Sequence, residues 1–221
     1  MASLVSDWSS ERRVFDVPWG KAMMWIFILS DVFIFSCLLV GYMVLRMATV
    51  EPWPDANEVF ALHVGGQSIP LLLIAIMTLI LITSSGTMAL AVKYGYAKER
   101  GRATLLLLLT ALLGATFVGM QAFEWTMLIG EGVRPWVNPW GAAQFGAVFF
   151  LITGFHGTHV TIGVIFLVIM AVKVGRGSLE GSRAGFLTGR KGSYGMIESL
   201  GLYWHFVDLV WVFIFAVFYL W

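Results

Sequence analysis

The stretch Tyr203-Trp204-His205-Phe206-Val207-Asp208-Leu209-Val210-Trp211 determines much of how this chain must fold. It lies within an apolar run from about residue 200 to residue 221, which is long enough to cross a bilayer as a helix. His205 and Asp208 stand three positions apart near the middle of the run, so a helix places them on one face. Ionisable groups inside a membrane are costly and rarely face lipid. We therefore expect this helix to pack against polar groups, in this chain or in a partner.

The composition is that of an integral membrane protein. Of 221 residues, 59% are hydrophobic and 12% are charged, whereas a soluble domain is about half apolar and about a quarter charged. The ten Trp and six Tyr residues suit the aromatic belts found at membrane surfaces. A single cysteine, Cys37, excludes an internal disulfide and a thiolate cluster. A net charge of +1 gives no indication of nucleic-acid binding.

The lengths of the apolar runs predict an all-α fold, a membrane bundle of five transmembrane helices. The runs are apolar on nearly every side, so helical periodicity adds little, but each exceeds the ~20 residues that a span needs. The predicted spans are about residues 19–46, 69–96, 103–130, 142–174 and 196–221. Residues 1–18 form a polar N-terminal segment, and residues 19–221 form a single membrane domain.

The basic residues predict the orientation of the bundle. Of 14 Lys and Arg residues, 12 lie in the N-terminal segment with Lys21, in the loop between the second and third spans, or in the loop between the fourth and fifth. The opposite side has Arg46 and Arg134. Because cytoplasmic loops carry an excess of Lys and Arg, the N-terminus should be cytoplasmic and the C-terminus periplasmic.

Polar side chains within the spans are the candidates for chemistry. The His156-x-x-His159 pair could hold a metal or haem iron, as neutral imidazoles do. The sequence has four His residues and no second pair of this kind, so the alternative is that these side chains form hydrogen bonds with neighbouring helices. The buried polar or proton-related candidates are Asp31, Glu124, His156, His159, His205 and Asp208.

Depth along the helices suggests which of these residues meet. At about 1.5 Å per residue, Asp31 and His205 each lie ~16 Å from the cytoplasmic start of their spans, and His159 lies ~21 Å in. Asp31 is therefore predicted to pair with His205 or His159, either as a proton carrier or as a fixed packing group. Glu124 and Glu198 lie closer to helix ends and are expected to reach the membrane interfaces.

Four ordered motifs resemble subunit III of the haem-copper terminal oxidases, which include cytochrome c oxidase and bacterial quinol oxidases. The family patterns S-E-x-F-F-F, Q-x-x-E-[YW], T-G-F-H-G-x-H-V and Y-W-H-F-V-D-x-V-W resemble, in order, residues 30–35, 121–125, 153–160 and 203–211. The resemblance covers the chain from about Trp19 to its end. It departs at Asp31, where the family usually has Glu, and the shorter side chain favours a structural role there.

The resemblance implies a non-catalytic accessory subunit of an oxidase that reduces O2 and pumps protons in aerobic respiration. Such a subunit has no catalytic residues and no metal or haem of its own, the haems and copper being in partner subunits. It would pack mainly on subunit I, with subunit II and others nearby, bind phospholipids, and support proton uptake and stability during turnover. The five-helix form is that of bacteria, which implies the bacterial inner membrane.

Three alternatives remain open from the sequence. The oxidase could take electrons from cytochrome c or from quinol, because donor sites lie on other subunits. The chain could instead be the subunit III-like component found with nitric oxide reductases. It could also be a stand-alone haem-binding membrane enzyme, which would need His156, His159 or His205 as ligands.

Overall fold

Five long helices follow one another along the chain in a computed structural model that describes residues 19–64, 67–177 and 195–221. The elements are α1 (Trp19–Ala48), α2 (Ala56–Val59), β1 (Ala61–Val64), β2 (Gln67–Pro70), α3 (Leu72–Tyr96), α4 (Arg100–Gly130), α5 (Gln144–Gly175) and α6 (Gly195–Phe215). A π-helical turn, Ala216–Leu220, extends α6. Five helices in the described ranges are long and apolar enough to span a membrane. The predicted all-α membrane bundle is confirmed, and residues 1–18 lie outside the described residues.

The connection between α1 and α3 contains regular secondary structure. It contains the short helix α2, whose start Asp55 caps by accepting a hydrogen bond from the backbone N–H of Asn57 at 2.9 Å. An antiparallel hairpin follows, in which Ala61 pairs with Pro70. The helix α3 begins three residues after the predicted start of about residue 69, because residues 69 and 70 belong to β2. Leu71 then has a φ of 57°, and α3 begins at residue 72.

The last helix, α6, lies at the centre of the bundle. α3 packs on α4, α4 packs on α5, and α6 contacts α3, α5 and α1. In the most apolar 18-residue stretch of α6, 61% of the residues are buried, compared with 17–33% in the corresponding stretches of the other four helices. α1 is the most peripheral helix at 17%. The helix with the two central ionisable residues is therefore the one most surrounded by protein.

Trp204 fixes α6 against two neighbours. Its fully buried indole lies between Gly114 of α4 and Gly163 of α5, where an added Cβ would stand 2.4 Å and 2.8 Å from ring carbons. The indole N–H donates to Ser84 Oγ of α3 at 3.0 Å. Glycines let backbones approach closely in membrane bundles, and here they make room for a large side chain.

The two ends of the bundle differ in character. At one end, the basic end, Lys21 of α1 forms an ion pair with Glu198 of α6, which also accepts a hydrogen bond from Tyr96 of α3. The opposite end, the hairpin end, carries α2 and the hairpin. There the Trp53 indole donates to Tyr42 at 3.2 Å and helps to close the connecting segments onto the bundle.

Candidate functional site: polar side chains inside the membrane

Asp31 of α1 meets His159 of α5 in the interior of the bundle. Asp31 Oδ2 lies 2.9 Å from His159 Nε2, and Asp31 is 4% exposed. The contact is short, although Oδ2 makes no hydrogen bond of standard geometry with the described residues. The predicted pairing of Asp31 with His159 is confirmed. The alternative pairing with His205 is wrong, because the imidazole of His205 lies against Ser85 instead.

Both nitrogens of the His159 ring lie close to oxygen atoms. Nδ1 lies 2.8 Å from the backbone carbonyl of Phe155 in the same helix. Nε2 lies 2.9 Å from Asp31 Oδ2. This second contact ties α1 to α5.

A second cluster joins α3 to α6 at Ser85, His205 and Asp208. Ser85 Oγ lies 2.6 Å from His205 Nδ1. Asp208 is 7% exposed and lies beside the Ser85 side chain. Neither carboxylate oxygen of Asp208 forms a hydrogen bond of standard geometry with the described residues. The expected common face of His205 and Asp208 thus meets a polar residue of this chain.

Glu124 forms a third cluster near the hairpin end. Its carboxylate accepts from Gln121 Nε2 at 2.6 Å and from the Tyr219 hydroxyl at 3.1 Å. Glu124 is 4% exposed, so its side chain is buried within the bundle. The reason is the π-helical turn after α6, which carries Tyr219 over the carboxylate. Glu198, by contrast, is part-exposed at the basic end, where it meets Lys21.

His156 does not share the environment of His159. It is 1% exposed, its ring stacks on Trp211 with centroids 5.4 Å apart, and Phe117 meets it edge-on at 5.9 Å. Neither ring nitrogen has a hydrogen-bond partner among the described residues. The expectation that His156 bonds to a neighbouring helix is therefore wrong, because the ring is surrounded by aromatic side chains.

The histidines do not converge on a common ligand position. His156 faces Trp211, His159 faces Asp31, and His205 faces Ser85. Among the residues that the structure describes, no group of three or more His, Cys, Asp or Glu side chains could hold a metal ion. What these side chains do in the structure is join helices.

A cavity of about 530 Å³ opens beside the Asp31–His159 pair and extends toward the basic end. Its walls are almost entirely apolar and come from α1, α5 and α6. The side chains include Met24, Phe27, His159, Phe166, Met170 and Tyr203. The Tyr203 hydroxyl donates to the His159 carbonyl at 2.8 Å, so its polar atom is already engaged.

The sequence identified the ionisable residues of these clusters, but not the residues that bond to them. Ser85 contacts His205, Tyr203 donates to the His159 carbonyl, and Tyr219 donates to Glu124. The only signal for Ser85 was the polar pair Ser84-Ser85 in an apolar run. Nothing in the sequence indicated that Tyr219, expected at the membrane surface, lies 3% exposed against Glu124.

Comparison with known proteins gives a consistent result. The family model of cytochrome c oxidase subunit III matches residues 15–221. A probable quinol oxidase subunit 3 from Staphylococcus epidermidis (strain ATCC 35984) is 28% identical over 210 residues, covering 95% of this chain and 92% of the relative. A probable quinol oxidase subunit 3 from Staphylococcus aureus (strain USA300) is 29% identical with the same coverage.

The match extends over far more of the chain than the four motifs do, and it confirms the resemblance that they indicated. It also agrees with the five membrane-length helices of the described ranges. The chain therefore belongs to the cytochrome c oxidase subunit III family and is an accessory membrane subunit of a haem-copper oxidase complex.

Proposed function

We propose that this chain packs on the catalytic subunit I, near subunit II and the other subunits, and that the haems, the copper and the active site lie in those partners. The observation that carries the proposal is the use of the intramembrane polar groups. Asp31 binds His159, Ser85 binds His205, and Glu124 accepts from Tyr219. Groups engaged between helices in this way stabilise a bundle rather than present ligands to a cofactor.

Purification from native membranes through a tag on this chain tests the proposal. We expect a complex in which a large haem-containing subunit accompanies the tagged chain in equal amount. After dissociation, the chain itself should show no Soret absorption. A stoichiometric Soret band in the separated chain would instead support the stand-alone haem enzyme.

The cavity beside Asp31 supports binding of a phospholipid acyl chain. Its volume of about 530 Å³ lies within the range of ordinary ligand pockets. The polar atoms of His159 and Tyr203 are bonded within the chain, which leaves a mainly apolar surface suited to hydrocarbon. Ile162→Trp should narrow the cavity and reduce the lipid that co-purifies. Ile165→Trp is the matched control, because Ile165 is 55% exposed and lies on the same helix outside the cavity lining.

The role in proton uptake and turnover stability is a separate proposal about Asp31. Asp31→Asn keeps a hydrogen-bonding side chain of the same size and replaces the carboxyl group with an amide. If Asp31 is a packing group, the variant complex should pump as many protons per electron as the parent and survive as many turnovers. A lower pumping ratio with the subunit fully retained would assign proton transfer to Asp31.

The electron donor and the orientation are further proposals. Both relatives are named as quinol oxidase subunits, which favours quinol over cytochrome c, and an oxidase over a nitric oxide reductase. Turnover of the purified complex with each donor, and with nitric oxide in place of O2, separates the three.

For the orientation, alkaline phosphatase fused after Trp221 should be active if the C-terminus is periplasmic in a bacterial inner membrane. The same fusion in the loop after Tyr96 should be inactive.

A further inference from the structure

Most hydroxyl groups on the outside of the bundle are satisfied by their own helix. Thr116 donates to the Leu112 carbonyl at 2.9 Å, Thr158 to Gly154 at 2.8 Å and Thr161 to Gly157 at 2.7 Å. Side chains bonded in this way leave no polar group that needs a partner. These parts of the surface are compatible with lipid.

His205 is different. It is partly exposed and lies ten residues after the start of α6, about 15 Å along the helix and so near the middle of a span. Its Nδ1 lies 2.6 Å from Ser85 Oγ, whereas Nε2 has no hydrogen-bond partner among the described residues. Both ring nitrogens of an imidazole are polar, and lipid tails offer neither a donor nor an acceptor. A half-satisfied imidazole at this depth therefore requires a protein neighbour.

The residues around His205 form a continuous strip, which we call the histidine face. On α6 it comprises Leu202, His205, Leu209 and Val212, which recur every three or four positions and so lie on one side of the helix. Leu209 is 55% exposed and Val212 is 42% exposed. On α3 it includes Ser85, which touches the imidazole. The face is thus apolar with one polar group at its centre, the pattern of a helix-packing surface in a membrane.

We propose that the histidine face is the surface on which the catalytic subunit docks, through a transmembrane helix that brings a hydrogen-bonding side chain to His205 Nε2. This inference rests on the proposed function, which supplies a large membrane subunit as the partner. It adds which side of the bundle is covered. Because α6 is also the central helix of this chain, docking there would join the partner directly to the element that contacts α1, α3 and α5.

Site-specific photocrosslinking in the assembled complex tests the proposal without disturbing the core. p-Benzoylphenylalanine is placed at position 209 on the histidine face, or at position 165 on the outer side of α5. Leu209 and Ile165 are both 55% exposed, so neither replacement needs to be accommodated in the interior. We expect the probe at 209 to form an adduct with the catalytic subunit and the probe at 165 to form far less. An adduct at 209 with lipid alone, or with a second copy of this chain, would overturn the inference.

A pair of variants tests the role of the imidazole. His205→Phe keeps an aromatic ring of similar size and removes the hydrogen bonds, whereas Thr161→Val removes a hydroxyl that bonds within its own helix. We expect several-fold less of the His205→Phe chain to remain with the complex after detergent extraction, with no change for Thr161→Val. Equal retention of both variants would contradict a docking role. Should the parent chain itself purify without any oxidase subunit, the proposed function fails rather than the choice of face.

Discussion

Substitutions at the two glycines that pack against Trp204 test the packing around α6 directly. Gly114 and Gly163 touch opposite parts of the indole. A Cβ on residue 114 would lie 2.4 Å from Cη2, and one on residue 163 would lie 2.8 Å from Cζ3. Shifting the ring away from one helix therefore presses it against the other. We predict that Gly114→Ala and Gly163→Ala both destabilise the bundle, with Gly114→Ala the more harmful.

The magnitude follows from the distances. Unstrained carbon contacts lie at about 3.5–4.0 Å, so the overlap is at least about 1.1 Å at Gly114 and about 0.7 Å at Gly163. Overpacking a core costs about 1–3 kcal/mol. Replacing Gly by Ala within a helix returns up to about 1 kcal/mol. We expect a net loss of about 2 kcal/mol for Gly114→Ala and about 1 kcal/mol for Gly163→Ala in the free energy of unfolding.

The chain supplies a matched control in each helix. An added Cβ at Gly119 of α4 or at Gly157 of α5 meets nothing within 4 Å. Unfolding of the purified chain by SDS in mixed micelles, followed by far-ultraviolet circular dichroism, compares the four variants under one condition. Gly119→Ala and Gly157→Ala should be neutral or slightly stabilising. If all four variants shift the SDS unfolding midpoint equally, the loss of stability reflects helix conformation in general. The proposed close packing of Trp204 against Gly114 and Gly163 is then refuted.

Three further predictions use the same unfolding measurement. Asp31→Leu should cost about 1–2 kcal/mol by leaving His159 unpaired, and the cost should largely vanish in a His159→Leu background, so additive effects would argue against the pair. Tyr219→Phe should cost about 0.5–1 kcal/mol by removing one donor to Glu124, whereas an unchanged stability would show that the 3.1 Å contact contributes nothing. Glu198→Gln should cost below about 0.5 kcal/mol, because its ion pair with Lys21 is part-exposed, and a larger loss would contradict that reading.

The architecture could be predicted because lipid imposes a simple length rule. The five apolar runs correspond to five helices. Along the chain, connections rich in Lys and Arg alternate with connections that have few of them. The prediction was less accurate in the segment that connects α1 to α3. The hairpin next to α3 takes residues 69 and 70, and its backbone hydrogen bonds leave no trace in the apolar pattern. Pro70 was the available hint, since proline favours the ends of strands.

The sequence predicted the level of each polar residue along its helix, but not which neighbouring helix the side chain faces. Counting residues from the helix ends brought Asp31 and His159 to comparable levels, and they meet. The same count could not choose His159 over His205, because choosing requires the rotation of each helix about its axis. Spans that are apolar on all sides carry almost no signal for that rotation. For the same reason, Ser85 and Tyr219 could not be identified as partners.

The polar side chains of α6 identify the centre of this bundle. α6 is the most buried of the five spans. In water a helix with several polar side chains would be expected at the surface, but lipid reverses the preference, because polar side chains must find partners inside the protein. α6 and its π-helical extension bond through side chains to all four other long helices. The pairs are Lys21 with Glu198, Thr78 with Trp211, Ser84 with Trp204, Ser85 with His205, Glu124 with Tyr219, and the His159 carbonyl with Tyr203. In this bundle, the span whose side chains form polar contacts with every other long helix is therefore the central one.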